Sequence, residues 1–163
     1  VTYDFTIKNA PAGTDDWFGF NNFTMSRVID AMDELGMIQM ADSPTWPKPE
    51  DHGLTHRDVW QWEDEDARPN APEPVRAFLD AHDRARDGAP ENTTGIAIYK
   101  LGSNDGWLVT EVELRAALKS WDAAAPEQQA AAAVRAQLRD AERWPAWIAY
   151  MRTAAACGGF RVY

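Results

Sequence analysis

Two imidazoles four residues apart, His52 and His56, lie in the run Asp51-His52-Gly53-Leu54-Thr55-His56-Arg57-Asp58. On one helix face that spacing brings both rings to one ion, and Asp51 or Asp58 could add a carboxylate oxygen. That donor set would suit a metal-dependent hydrolase or nuclease using His52, His56 and Asp58. Gly53 opposes a helix running through both histidines, and the chain has neither a His-Glu-x-x-His helix nor a cysteine pair. Exposed or loop-capping histidines are therefore the competing reading, and the preferred one assigns no metal and no cofactor.

Other chemistries fare less well. Ser103-Asn104-Asp105-Gly106 has the composition of a calcium loop, but Gly106 at the sixth loop position would put Leu101 first and Val112 twelfth, where oxygen ligands are required. There is no Gly-x-Ser-x-Gly elbow. Cys157 falls where a helix ends, a place that disfavours a thiolate. Gly158-Gly159 lacks the lysine and following helix of a phosphate loop. No catalytic residue is assigned.

A different signal comes from Asp58, Glu63, Asp64, Glu65 and Asp66, interleaved with Trp60 and Trp62 and preceded by Trp46. Tryptophan is enriched at binding hot spots, and a carboxylate rim steers a basic partner. The simpler use of these indoles is to cover a core beneath the loop, with the acids facing water. The leading expectation is a non-enzymatic intracellular accessory protein that binds another protein through this acidic, Trp-rich surface. A narrower version is an acidic DNA mimic that inhibits a nucleic-acid-binding protein. A third class, a small-molecule pocket around Trp17, Phe18 and Phe20, competes with the use of those rings as core.

Charge narrows the partners further. The 163 residues carry 16 basic and 26 acidic side chains, a formal net charge of -10. Such a surface repels phosphate backbones and anionic lipid, so neither direct nucleic-acid binding nor a membrane partner is expected. A single cysteine allows no intrachain disulfide, and no apolar run approaches the ~18–20 residues of a membrane span. A cytoplasmic location is the resulting expectation.

The elements that must position these residues follow from periodicity. Val1, Tyr3, Phe5 and Ile7 alternate with polar residues as a first strand. Met25, Val28, Ile29, Met32 and Leu35 recur at helical spacing up to Gly36. From about 42 to 74 the chain reads as an irregular Pro- and Trp-rich excursion with a short helix near Thr55–Glu63, followed by a helix from Pro74 to Gly88. Ile96–Leu101 and Trp107–Val109 flank Asn104-Asp105-Gly106 and predict a hairpin. Thr110 and Glu113 stand at capping-box spacing before the stripe Leu114, Ala117, Leu118 and Trp121. Pro126 opens an alanine-rich helix with Ala131, Val134, Leu138 and Ala141 on its inner face. Pro145 lies in the first turn of a last helix carrying Trp147, Ile148, Met151 and Ala155 inward, and Gly158-Gly159 precedes a strand at Phe160.

The expected fold class is α+β in one domain, 1–163. A small, mostly antiparallel sheet of N-terminal strand, central hairpin and C-terminal strand is covered by four or more helices. The segments Ser103–Thr110 and Trp147–Phe160 together resemble part of a group of small uncharacterised α+β proteins of high-GC bacteria and their phages, over about the last 70 residues. The resemblance implies fold and origin and carries over no site.

Overall fold

The computed structural model describes residues 2–64, 66–138 and 140–163. Val1, expected at the head of the first strand, Glu65, expected in the acidic cluster, and Arg139, in the alanine-rich region, lie outside them. In chain order the elements are β1 (Thr2–Ile7), β2 (Trp17–Asn21), α1 (Asn22–Glu34), β3 (Ile38–Gln39), α2 (His56–Trp60), α3 (Glu73–Asp87), β4 (Ile96–Ala97), α4 (Ile98–Leu101), β5 (Trp107–Val109), α5 (Glu111–Ala123), α6 (Pro126–Arg135), α7 (Arg143–Ala156) and β6 (Phe160–Val162). Two compact units result: Val1–Ser43 with Ala89–Tyr163, and Pro44–Gly88.

The first unit is α+β. Its four-stranded antiparallel sheet has the order β2-β1-β6-β5, which sets the N-terminal strand beside the C-terminal one. Phe5 and Ile7 of β1 are buried as their alternation predicts, and Phe5, Phe20, Trp147 and Phe160 form a continuous aromatic cluster. β2 was hidden in the sequence because its period is masked by neighbouring aromatics. Phe18 and Phe20 share the inner face, while the Trp17 ring folds back over Gly19, where a Cβ would stand 2.7 Å from it. Gly159, at φ +99°, lets β6 pass so close to β5 that a Cβ would strike the Val109 carbonyl oxygen.

The central hairpin does not form. Ile96–Ala97 instead pairs in parallel with Ile38–Gln39, outside the main sheet, and Ile98–Leu101 is one helical turn. Lys100 and Leu101, both at 0% exposure, lie in that turn, and from it the Lys100 ammonium reaches the Glu113 carboxylate and the Leu108 carbonyl. Asn104-Asp105-Gly106 thus joins a helical turn to β5. Gly106 takes φ 75°, and the Asn104 amide donates to the Thr2 carbonyl at 2.9 Å, tying the loop to β1.

The capping box at Thr110 is present and does more than cap. Glu113 accepts from the Thr110 backbone N–H at 2.9 Å and its hydroxyl at 2.8 Å, from the Ala97 N–H at 3.2 Å, and from Lys100 Nζ at 2.7 Å. Lys100 Nζ also donates to the Leu108 carbonyl at 2.7 Å. One fully buried ion pair therefore joins β4, α4, β5 and α5. Proximity to Glu113 and, to a greater degree, burial raise the Tyr99 pKa.

The alanine-rich helix ends earlier than its composition suggests, at Arg135, and presents a different face. Ala132 and Ala136 are buried while Val134 is 76% exposed, so the small side chains, rather than the larger apolar one, meet α1. α7 keeps its expected face, with Trp147, Ile148, Met151 and Ala155 buried.

Removing one member of a buried ion pair leaves the other charged and unpaired, a loss of about 3–5 kcal/mol. Glu113→Ala and Lys100→Ala should each lower the unfolding free energy measured in urea by that order. The Lys100→Ala/Glu113→Ala double variant should lose clearly less than the summed single losses; strict additivity would show that the pair is not coupled.

Candidate functional site

The unit Pro44–Gly88 has its own small core, in which Val59, Ala71, Val75, Phe78 and Leu79 are buried and Leu54 and Trp62 pack against them. Two short sequence devices build the α2 end of this unit. Pro49 starts a single 3-10 turn, Pro49–His52, that Gly53 closes at φ 70°. Thr55 then caps α2, its hydroxyl 3.4 Å from the Asp58 N–H and its own N–H donating to the Asp58 carboxylate at 2.8 Å.

This geometry separates the four residues of the metal reading. His52 sits in the 3-10 turn with its ring edge-on to Phe78, centroids 5.6 Å apart, and His56 is the first residue of the next helix. The left-handed Gly53 between them prevents the shared helix face that the spacing requires. Asp58 is committed to Thr55, which holds its carboxyl below the usual carboxylate range, and Asp51 is exposed. Among the described residues, no group of three His, Cys, Asp or Glu side chains could hold a metal ion.

The indoles divide. Trp60, at the end of α2, is 76% exposed. Trp62 is half-buried against the small core, and its ring N–H has no acceptor among the described residues. Successive positions on and just past a short helix point different ways, so Trp-x-Trp supplies one outward and one inward ring. Glu63, Asp64 and Asp66 are exposed. Asp64 also orders the loop: its carboxylate accepts the Asp66 N–H at 3.0 Å, and its carbonyl accepts the Ala67 N–H at 3.0 Å.

Trp46 lies elsewhere in the unit, stacked on His82 with ring centroids 4.5 Å apart and planes 30° from parallel. The pair forms part of the wall of a cleft of about 430 Å³ whose lining also includes Phe78, Glu63, Arg68 and Arg86. Asp83 bridges the two arginines, accepting from Arg68 Nη1 at 2.6 Å and from Arg86 Nη2 at 3.0 Å. Sequence reading named Trp46 and His56 but did not assemble this cleft, because His82 and Arg86 on α3 and Arg68 in the loop before it are brought to them only by folding. Burial pushes the His82 pKa down; Arg86 adds to that effect and Asp83 opposes it.

The rings suggested for an aromatic pocket are not gathered around one: Trp17 is 53% exposed, Phe20 belongs to the core cluster with Phe18 packed against it, and Phe20 also borders a cleft of about 560 Å³ with Phe23 and Arg143. Phe18 and Phe20 pack on Trp147, and the Arg143 guanidinium lies 4.8 Å from the Phe18 ring centroid while donating to the Gly19 carbonyl. Among the described residues no helix is long and apolar enough to cross a membrane. No family model, curated protein or solved structure matches the chain.

Two measurements check this geometry. Trp62→Ala should cost about 2 kcal/mol in chemical denaturation, whereas Trp60→Ala should stay within about 0.5 kcal/mol of the parent. For His82, the unfolded chain takes up a proton near pH ~6.5 while the folded site resists it. Stability should therefore fall as pH drops through that value toward the lower folded pKa, then level off. Urea midpoints across this window should show a shallower slope in His82→Phe.

Proposed function

We propose that this chain is a non-enzymatic protein-binding accessory protein, and that Trp60 with the carboxylates of Glu63, Asp64 and Asp66 contacts a partner presenting a basic surface. The observation that carries this reading is the 76% exposure of Trp60 at the end of an otherwise well-capped helix. A large ring left in water is unfavourable by the area it exposes, and tryptophan is the residue most enriched where binding energy concentrates. The acids beside it lack the size to shield it, but they would raise the encounter rate with a cationic surface. Asp58 contributes by fixing α2 through Thr55, and Trp62 by anchoring the loop, so neither needs to touch the partner. A nucleic-acid-binding protein is one kind of partner with such a surface.

The test is affinity capture from a high-GC bacterial lysate, the source that the resemblance implies, followed by titration of the purified partner. Trp60→Ala should weaken binding by about 30-fold or more, the scale of a hot-spot tryptophan, while its melting temperature stays at the parent value. Glu63→Gln with Asp66→Asn should slow association at low salt and flatten its salt dependence. A partner that binds the parent and Trp60→Ala equally well would overturn the assignment.

A further inference from the structure

We infer that the cleft beside Phe20, bounded by Phe23, Arg27, Asp140 and Arg143, binds a free α-amino acid with an aromatic or large apolar side chain. The site lies wholly within the unit Val1–Ser43 with Ala89–Tyr163 and is independent of Trp60. Carboxylate, ammonium and side chain of such a ligand each find a reachable counterpart on the cleft wall.

The carboxylate meets arginine. Arg27, on α1, is exposed, and among the described residues its guanidinium has no partner. Arg143, the first residue of α7, is held in place: its guanidinium lies 4.8 Å from the Phe18 ring centroid and 5.4 Å from that of Phe20, and Nη2 donates to the Gly19 carbonyl. Its Nε and Nη1 have no acceptor among the described residues, and the residue is exposed, so both donors are open to a ligand. Guanidinium groups bind carboxylates through strong, charge-assisted hydrogen bonds.

The ammonium meets Asp140. The Arg143 backbone N–H donates to the Asp140 carbonyl at 3.1 Å, so both side chains leave a single turn. Asp140 Oδ1 accepts the Glu142 N–H at 3.0 Å, and Oδ2 has no donor among the described residues. Although Asp140, Arg27 and Arg143 line one cleft, no ion pair joins them. Opposite charges held apart in this way match the two ends of a zwitterion.

The side chain meets Phe23, which lines the cleft yet is 83% exposed, together with Phe20 of the core and Leu138 packed against it. A ligand ring laid on Phe23 takes apolar surface of both out of water. Net charge disfavours simpler ligands. An anion is repelled at long range by a chain of formal net charge -10, and a cation faces both arginines at the cleft. A zwitterion carries no net charge and avoids both penalties.

The experiment is calorimetric titration of the full chain at low salt and near-neutral pH with phenylalanine, phenethylamine, hydrocinnamate and glycine. Phenylalanine should bind saturably. Phenethylamine, which lacks the carboxylate, and hydrocinnamate, which lacks the ammonium, should each bind about tenfold more weakly or worse, and glycine should give no saturable signal. Arg27→Gln should weaken phenylalanine by about tenfold while leaving phenethylamine unchanged, and Phe23→Ala should weaken phenylalanine by about fivefold. Asp140→Asn should abolish the preference for phenylalanine over hydrocinnamate. All three substituted residues are exposed, and thermal melts report whether each variant is folded. The inference is overturned by absence of saturable phenylalanine binding, or by parent affinities for phenethylamine, hydrocinnamate or glycine equal to that for phenylalanine. It is equally overturned by parent-like affinity in folded Arg27→Gln, or by a preference over hydrocinnamate that survives Asp140→Asn.

Discussion

The buried Lys100–Glu113 pair is the constraint around which the first unit is arranged. Two charges at 0% exposure are tolerable only if each is fully engaged, and the four hydrogen bonds that Glu113 accepts draw on four separate groups. The Leu108 carbonyl takes a further Lys100 proton. Because those partners belong to β4, α4, β5 and the cap of α5, satisfying the charges sets the path of the chain from Ala97 to Glu113. A well-packed apolar pair could fill the same space at similar stability, but it would not dictate direction to the same degree.

That requirement explains why the local hairpin signal fails. Asn-Asp-Gly between two β-prone runs is strong turn chemistry, yet the Lys100 ammonium must meet both the Glu113 carboxylate and the Leu108 carbonyl. It does so from one helical turn. The strands then find partners far away in sequence: β5 with β6, and β4 with β3. Turn composition survived as a loop with Gly106 at positive φ, while the pairing did not.

In the unit Pro44–Gly88 the governing scale is smaller. Its core is small, Val59, Ala71, Val75, Phe78 and Leu79 with Leu54 and Trp62 packed on them, so local devices carry much of the order: prolines that start turns, Gly53 that ends one, the Thr55–Asp58 box and the Asp64 loop bonds. These devices also allot the side chains their roles. Asp58 is spent on the backbone, His52 on Phe78, Trp46 on His82, and Trp60 is left outward.

By itself the sequence determined what depends on near neighbours: the first strand, the capped α5, the Pro-initiated and Gly-terminated helices, the α+β class, and the acidic Trp-rich cluster as a candidate surface. Capping boxes, period 3.6 and proline geometry act over a few residues and need no distant partner. Tertiary structure decided β2, whose alternation is hidden by Trp17 and Gly19, and the inner face of α6, where Ala132 and Ala136 permit closer approach than Val134. It also decided which indole of Trp60 and Trp62 is exposed, and it assembled Trp46, Arg68 and His82 around one cleft. Those outcomes depend on which surfaces meet and which buried charges find partners, and residues far apart in the chain settle both.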